Sequence, residues 1–291
     1  MKGIVIINKP SGWTSHDVVA KMRSILRVKR IGHGGTLDPM ATGVLPLFVG
    51  RATRAVQFIV NADKEYIAGL RLGIETDTQD ITGRIVRQSA ADVEEEELIG
   101  VLDRMKGVRE QIPPMYSAVK VNGKKLYEYA RAGLEAKRAP RIIEIKEIEL
   151  LNKRGGDYFL RIVCTKGTYI RTLCHEIGLE LGCGGTLSTL IRTRAGIYTL
   201  KTACMIEQIA EAAKSGTVER FLRPVDSVFA EHEAISVTGE PEKKLRNGAV
   251  FDFHGTAPGR YRVYGEDGEF LALGEVTPDG MLKTVKSFFE I

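Results

Sequence analysis

The sequence has few of the features that mark membrane, secreted or metal-binding proteins. No stretch reaches the ~18 consecutive apolar residues that a bilayer-spanning helix needs. The apolar run at 3–8 ends at Lys9-Pro10 and lacks the length and cleavage site of a signal peptide. We therefore expect a soluble protein of the cytoplasm that does not associate with a membrane.

Cysteine is scarce, because the chain of 291 residues has only four, at irregular spacing and without a CxxC pair. This spacing argues against a disulfide framework. A zinc site that uses His175 beside Cys174 stays open but has little support. The simpler interpretation is four reduced and mostly buried thiols.

Positive charge is present but unevenly distributed. Residues 1–57 carry nine Lys and Arg against two Asp, and residues 120–171 carry thirteen against six acidic residues. Residues 226–291 carry seven against twelve, for a net charge of −5. Two basic regions that are separate in sequence can converge on one surface that binds a polyanion, although ordinary solvated surface is the alternative.

The hydrophobic pattern alternates between strands and helices. Thr14 and Asp17 have the spacing of a capping box and predict the start of a helix. The composition shifts near residue 233 to short strands and frequent Gly, which predicts a separate β-rich module. Strands are expected at 3–8, 44–49, 65–74, 83–87, 141–150 and 158–164, and helices at 92–105 and 171–181.

Asp38 is the candidate for chemistry in the segment GHGGTLDPMATGVL, residues 32–45. The glycines of this segment permit tight turns and close approach of a ligand. Pro39 restricts the preceding Asp38 to extended conformations. An aspartate held between a basic helix and an apolar strand is a candidate active-site carboxylate, and the alternative is an aspartate that only caps a turn.

The same segment resembles the catalytic motif of the TruB family, the bacterial tRNA pseudouridine-55 synthases. That motif is close to G-H-x-G-x-L-D-P-x-A-x-G-x-L, and every specified position is met. The resemblance extends from Asn8 through at least Arg194. Further matching blocks are Lys9-Pro10-Ser11-Gly12, Lys64-Glu65-Tyr66, Thr76-Asp77-Thr78 through Gly83, Gln111 through Lys120, and Lys166-Gly167-Thr168-Tyr169-Ile170-Arg171.

The resemblance implies an α+β fold, with a mixed, mainly antiparallel sheet flanked by helices. It implies a pseudouridine synthase catalytic domain at 1–232 and a small PUA-like domain at 233–291. The family reaction breaks the N1–C1′ bond of a uridine in the tRNA T loop, turns the base and rejoins it through C5. It needs neither metal nor other cofactor, and we expect the enzyme to act as a monomer.

Residue roles follow from the same resemblance. Asp38 matches the catalytic aspartate, and Arg171 matches the arginine that pairs with it, which we expect to lower the pKa of Asp38. Tyr66 matches the aromatic residue that stacks on the target base, and its hydroxyl is the candidate base for the C5 proton. The carboxylate could act on C1′ covalently or assist a glycal route. Other matched positions are the pocket-lining Tyr169 and Leu190, the loop-supporting Lys9 and Pro10, and Asp80, which contacts or positions a catalytic partner.

RNA recognition is the last part of the implied function. The target base must be flipped out of the folded T loop. His33 matches the histidine that fills the vacated space. The basic residues at 21–30 and 120–141 then become the phosphate-contacting surface, whereas the acidic C-terminal module offers only a local patch of Lys243, Lys244 and Arg246. A tRNA-binding RNA chaperone is the alternative function, and it would not need Asp38, Tyr66 and Arg171 together.

Overall fold

The computed structural model describes residues 1–289 and contains two large sheets. Its strands are β1 (Gly3–Lys9), β2 (Ile31–His33), β3 (Thr42–Val49), β4 (Lys64–Leu72), β5 (Ile74–Thr76), β6 (Ile85–Gln88), β7 (Gly107–Gln111), β8 (Lys120–Val121), β9 (Lys124–Lys125), β10 (Arg141–Arg154), β11 (Asp157–Cys164), β12 (Gly185–Ala195), β13 (Tyr198–Thr199), β14 (Ala234–Ser236), β15 (Phe251–Asp252), β16 (Gly259–Tyr264), β17 (Phe270–Val276) and β18 (Met281–Ser287). Its α-helices are α1 (Ser15–Leu26), α2 (Val56–Asn61), α3 (Glu95–Met105), α4 (Leu126–Arg131), α5 (Ile170–Glu180), α6 (Ile206–Lys214) and α7 (Gly239–Arg246).

The larger sheet has nine strands and is mainly antiparallel. Its order is β1-β3-β12-β4-β11-β10-β7, with β2 paired to β3 and β13 paired to β12. The β3–β12 pair is parallel. Helices α3 and α5 share one hydrophobic core with this sheet, and α1 and α6 share another with β1 and β3. The second sheet, β14-β16-β17-β18-β15, makes the C-terminal part β-rich, so the predicted α+β class is confirmed.

Helix α1 begins where the capping box predicts. The Thr14 hydroxyl accepts a hydrogen bond from the Asp17 N–H at 3.1 Å, and the Asp17 carboxylate accepts one from the Thr14 N–H at 2.8 Å. The side chains of Val18, Met22 and Leu26 are buried, as the periodicity predicts. The helix therefore packs one face on the core and leaves its basic face in solvent.

Several elements differ from the sequence-based prediction, and strand β12 and helices α2, α4 and α6 were not predicted. Helix α3 begins at Glu95 rather than at residue 92, because Glu94 is extended and serves as the N-cap. The strand expected at 65–74 is interrupted at Gly73, whose φ of +82° turns the chain between β4 and β5. Helix α7 was not predicted, because among its side chains only Leu245 is buried and its sequence has no apolar periodicity.

The two sheets meet through aromatic side chains. Phe229 lies 4.9 Å from Phe58 and 5.7 Å from Phe288, measured between ring centroids. Lys2 forms an ion pair with Glu269 at 2.8 Å across the same junction. The predicted boundary at 232/233 stays a prediction, and the end of its C-terminal part, residues 290 and 291, lies outside the described residues.

The structure also shows the state of the four cysteines and the length of the helices. Cys164, Cys174, Cys183 and Cys204 are all free and buried, which confirms the prediction of buried thiols. Within residues 1–289, no helix is both long enough and apolar enough to cross a membrane.

Candidate active site

Asp38 lies in the loop at 34–41, between β2 and β3, and several contacts anchor this loop. The Leu37 N–H donates to the Ser15 hydroxyl of α1 at 2.9 Å. The Pro39 carbonyl accepts hydrogen bonds from the Gly12 N–H at 2.8 Å and from the Lys9 ammonium at 3.2 Å. The loop is thus held on both sides of Asp38, while 35% of the Asp38 side chain remains exposed.

Arg171 is the partner of Asp38. Its Nε lies 2.9 Å from Oδ2 of Asp38, and only 5% of its side chain is exposed. The Nε–H bond of Arg171 does not point at this oxygen at an angle that a hydrogen bond requires, so the contact is primarily an ion pair. Arg171 also donates through Nη2 to the Tyr116 carbonyl at 2.9 Å and through Nη1 to the Thr78 carbonyl at 3.2 Å. The structure therefore brings together the two residues that the sequence paired.

Asp80 is buried on the other side of the same guanidinium. Its Oδ2 lies 3.3 Å from Nη1 of Arg171. Its Oδ1 accepts hydrogen bonds from the Thr82 N–H at 3.0 Å and from the Thr78 hydroxyl at 3.0 Å. Asp80 therefore contacts Arg171 from the side opposite Asp38 and is itself held by Thr78 and Thr82.

The pKa of Asp38 differs from the sequence-based expectation. Burial of the carboxyl is the largest influence and raises its pKa above the ordinary value of 3.8. The charge of Arg171 lowers it and the charge of Asp80 raises it further. The expected net lowering is therefore wrong, because that expectation counted the ion pair and omitted the loss of solvation.

Tyr66 lies on β4 and belongs to the same hydrophobic cluster as Leu37 and Leu190. It is 8% exposed, and Leu190 is 7% exposed. Burial raises the pKa of Tyr66, and the negative charge of Asp38 adds to this. Asp38 is thus near both Arg171, its ion-pair partner, and Tyr66, whose pKa its charge affects, and Leu190 belongs to the same hydrophobic cluster as Tyr66.

Tyr169 is the N-cap residue of α5, two positions before Arg171. The amide of Gln111 fixes its backbone, because Oε1 accepts from the Tyr169 N–H at 2.8 Å and Nε2 donates to the Tyr169 carbonyl at 3.1 Å. Gln111 is 2% exposed at the end of β7. It lay inside a matched block, but the sequence did not indicate this role.

Lys9 and Pro10 lie where β1 ends. The Lys9 ammonium is buried and donates to the carbonyls of Pro10 at 2.8 Å, Trp13 at 2.6 Å and Pro39 at 3.2 Å. Burial lowers the pKa of Lys9 to about 8. Since all three acceptors are backbone carbonyls, the contacts tie the end of β1 to the Asp38 loop and support the structural role expected of this motif.

His33 is the last residue of β2, just before the loop that carries Asp38. Its ring makes an edge-on contact with the exposed His16, with 5.4 Å between ring centroids. Burial lowers the pKa of His33 to about 4, so its imidazole is neutral at physiological pH. Within residues 1–289 its Nδ1 is buried and has no hydrogen-bond partner.

Many basic side chains of the two predicted regions are exposed, and their convergence on one surface stays a prediction. Arg246 of the C-terminal patch is already paired, with Glu242 at 2.8 Å and with Glu269 at 3.3 Å, so less of that patch is free for RNA. The exposed basic residues of the two predicted regions are Lys21, Arg23, Arg27, Lys29, Arg30, Lys120, Lys124, Arg131, Lys137 and Arg141.

Arg192 is the residue that the sequence analysis missed. It is 1% exposed and donates to three backbone carbonyls around the Asp38 loop. A signal was present, because Ser188, Leu190 and Arg192 alternate along β12 and therefore face the same side of the strand.

Comparisons with known proteins are consistent with this arrangement. The family profile of the TruB family pseudouridylate synthase N-terminal domain matches residues 23–170, and that of the tRNA pseudouridylate synthase B C-terminal domain matches residues 171–230. The tRNA pseudouridine synthase B of Bacillus cytotoxicus is 43% identical over 98% of this chain and 97% of its own length. That of Bacillus velezensis is 41% identical, with the same coverage of both chains.

Two solved structures are similar along nearly the whole chain. A crystal structure of a Cbf5-Nop10-Gar1 complex has a chain that is 28% identical, with a TM-score of 0.74, over 99% of this chain and 85% of that one. A structure of an H/ACA RNP bound to a substrate RNA that contains 2′-deoxyuridine has a chain that is 26% identical, with a TM-score of 0.73 and the same coverage.

Proposed function

The chain belongs to the TruB family of pseudouridylate synthases, and from this premise we propose that it isomerises uridine 55 in the T loop of tRNA to pseudouridine. It is a tRNA pseudouridine synthase, an isomerase. The position of the uridine and the roles of individual residues are the proposal. The observation that carries these roles is the ion pair between Asp38 and Arg171, beside a buried Tyr66.

Asp38 acts on the sugar side of the glycosidic bond. The N1–C1′ bond breaks, the base turns and a C5–C1′ bond forms, while C5 loses a proton and N1 gains one, so the product is an isomer of the substrate. Attack of the carboxylate on C1′ and abstraction of a ribose proton both require Asp38 to be ionised. Arg171 supports the ionised form and fixes its orientation through the ion pair at 2.9 Å.

Tyr66 and Leu190 act on the base side. The Tyr66 ring stacks on the flipped uracil, and Leu190 closes the wall behind it. Because burial raises the pKa of Tyr66, the free enzyme holds it as the neutral phenol. As the base for the C5 proton, the neutral Tyr66 must pass its own phenol proton on in the same event, and N1, which gains one proton as C5 loses one, is the acceptor that balances the step.

Base flipping leaves a gap in the T loop, and unstacking costs a few kcal/mol that new contacts must offset. His33 offers a neutral imidazole ring, which can stack in that gap. We propose a catalytic domain at 1–232 and a PUA-like domain at 233–291, acting together as a monomer in the cytoplasm.

Incubation of an unmodified tRNA transcript with the enzyme tests the proposed function directly. We expect a single pseudouridine at position 55, which carbodiimide labelling and primer extension would map. A transcript with cytidine at 55 is the matched control and should remain unchanged. A labelled nucleotide at another position, or none at all, would contradict the proposal.

The acidic limb of the pH profile reports on Asp38. Its pKa is raised, so the catalytic carboxylate becomes protonated as the pH falls through a value above 3.8. We expect the single-turnover rate to decline in that window while tRNA binding changes less. Asp80→Asn removes a charge that raises this pKa, so the limb should move to lower pH. A limb that stays in place in this variant would contradict the assignment.

Salt dependence tests the basic surface. If two or more phosphates are neutralised, affinity for tRNA should fall about tenfold or more between 50 and 200 mM salt. Lys21→Ala should reduce the salt slope by about one. Lys214→Ala, at an exposed position on α6, is the control and should leave the slope unchanged. Equal slopes for wild type and Lys21→Ala would show that Lys21 does not neutralise a phosphate of the tRNA.

A further inference from the structure

We propose that Arg192 is a positioning residue that holds the Asp38 loop and Tyr66 in one fixed geometry. The inference rests on the proposed function and adds a residue to it. Arg192 has the largest side chain that is fully buried within residues 1–289. Its position on β12 places it between the loop and β4.

The guanidinium of Arg192 binds the loop at both ends. Nη2 donates to the Gly35 carbonyl at 3.1 Å and Nη1 to the Thr36 carbonyl at 3.2 Å, just before Asp38. Nε donates to the Val44 carbonyl at 2.7 Å, after the loop has entered β3. One rigid planar group therefore sets the distance between the two ends of the segment that carries Asp38.

The backbone of Arg192 is also in close contact with this segment. Gly43 is its register partner in the parallel β3–β12 pair and has a φ of +105°. A Cβ at Gly43 would lie 2.2 Å from the Arg192 carbonyl oxygen, so the close approach requires glycine. Both the side chain and the backbone of Arg192 thus fix where the loop ends.

Tyr66 is the second group that Arg192 positions. The two residues are direct partners in the antiparallel β4–β12 pair, and both are buried. Neighbours in such a pair hold their Cβ atoms about 5 Å apart on the same face. The groups that influence the Tyr66 hydroxyl are Arg192 on β12, Cys164 on β11 and Asp38 in the loop, and of these only Arg192 lowers the pKa of Tyr66.

Arg192, like Lys9, is a buried cation that donates to backbone carbonyls, but all three of its acceptors bracket the Asp38 segment and it is also the register partner of Tyr66. Within the described part of the chain no carboxylate lies within 4.0 Å of the Arg192 nitrogens, so its positive charge is buried without an ion-pair partner. Burial of a charge without an ionic partner is costly, and an apolar side chain would pack the same strand more cheaply. The acceptors it does have all lie on the segment around Asp38, where preorganised geometry affects rate.

Arg192→Gln and Arg192→Lys test the inference. Both should slow the single-turnover rate about 100-fold or more, with the Kd for tRNA changed less than about threefold. Wild-type rates in both variants, or a loss of affinity that accounts for the whole defect, would overturn the proposal.

A second pair of variants covers the case in which neither Arg192 variant folds. Gly35→Ala strains a φ of +118° and displaces the carbonyl that Nη2 binds, while Arg192 stays in place. Gly216→Ala also places a Cβ at a positive φ, +72° after α6, with no atom within 4 Å, and is the control for the general cost of replacing such a glycine. Only Gly35→Ala should slow turnover, and equal rates would overturn the proposal. If wild type forms no pseudouridine, the proposed function fails; if wild type is active and the variants match it, only the inference fails.

Discussion

Asp38→Asn should abolish pseudouridine formation while tRNA binding survives. The substitution keeps the size of the side chain and removes the charge that both routes at the sugar require. We expect the single-turnover rate to fall by at least about 10⁴-fold, which corresponds to about 5.5 kcal/mol. The Kd for tRNA should remain within a few-fold of wild type, because phosphate contacts lie on other residues.

The stability of this variant gives a second readout. Since the pKa of Asp38 is raised in the folded protein, its ionised form opposes folding at neutral pH, and this opposition is lost as the pH falls through the raised pKa. Asp38→Asn should therefore not lower the free energy of unfolding at neutral pH. Asp103→Asn, at an exposed position in α3, is the control and should leave turnover unchanged. Retained turnover in Asp38→Asn would show that Asp38 is not the catalytic carboxylate.

The same variant separates catalysis from an RNA chaperone activity. Asp38→Asn keeps His33 and the basic surface, so any help with tRNA folding should persist in it. If refolding of a misfolded tRNA transcript is accelerated equally by wild type and by Asp38→Asn, the two activities coexist in one protein.

Arg171→Ala should lower both turnover and stability. The guanidinium contacts Asp38, Asp80 and two backbone carbonyls, and its removal leaves the buried Asp80 carboxylate without a counter-charge. Breaking a buried pair from one side costs about 3–5 kcal/mol, which urea unfolding would measure. We expect the rate to fall at least about 100-fold in the fraction that stays folded, because Asp38 loses its orienting partner.

Arg171→Lys and Arg104→Ala complete this experiment. Lysine keeps the charge but has no planar group to reach Asp38, Asp80 and the Tyr116 carbonyl at once, so stability should recover more than turnover. Arg104 is 60% exposed in its ion pair with Glu180, and its removal should cost less than about 1 kcal/mol. Arg171→Ala with wild-type turnover would show that the ion pair with Asp38 has no part in the reaction.

Sequence patterns predicted the local features well. Helix α1 begins at the predicted capping box, because both capping partners lie within four residues of each other. Strand β1 and helix α5 lie close to their predicted bounds, because runs of apolar residues identify elements that pack on a core. Helix α7 escaped prediction because a mostly exposed helix has no such pattern.

The motif around Asp38 and the block that ends at Arg171 named the pair through their resemblance to the TruB family, since each is a short run of consecutive residues that can be matched directly. Tertiary structure decided what their surroundings do to them. Whether burial or the ion pair governs the pKa of Asp38 depends on how much protein surrounds the carboxyl. The order of the residues along the chain does not give that burial. Arg192 lies 154 positions after Asp38 and reaches the loop only because β3 and β12 are neighbours in the sheet. Contacts between distant strands arise when the sheet forms, and they determine how rigidly the reacting groups are held.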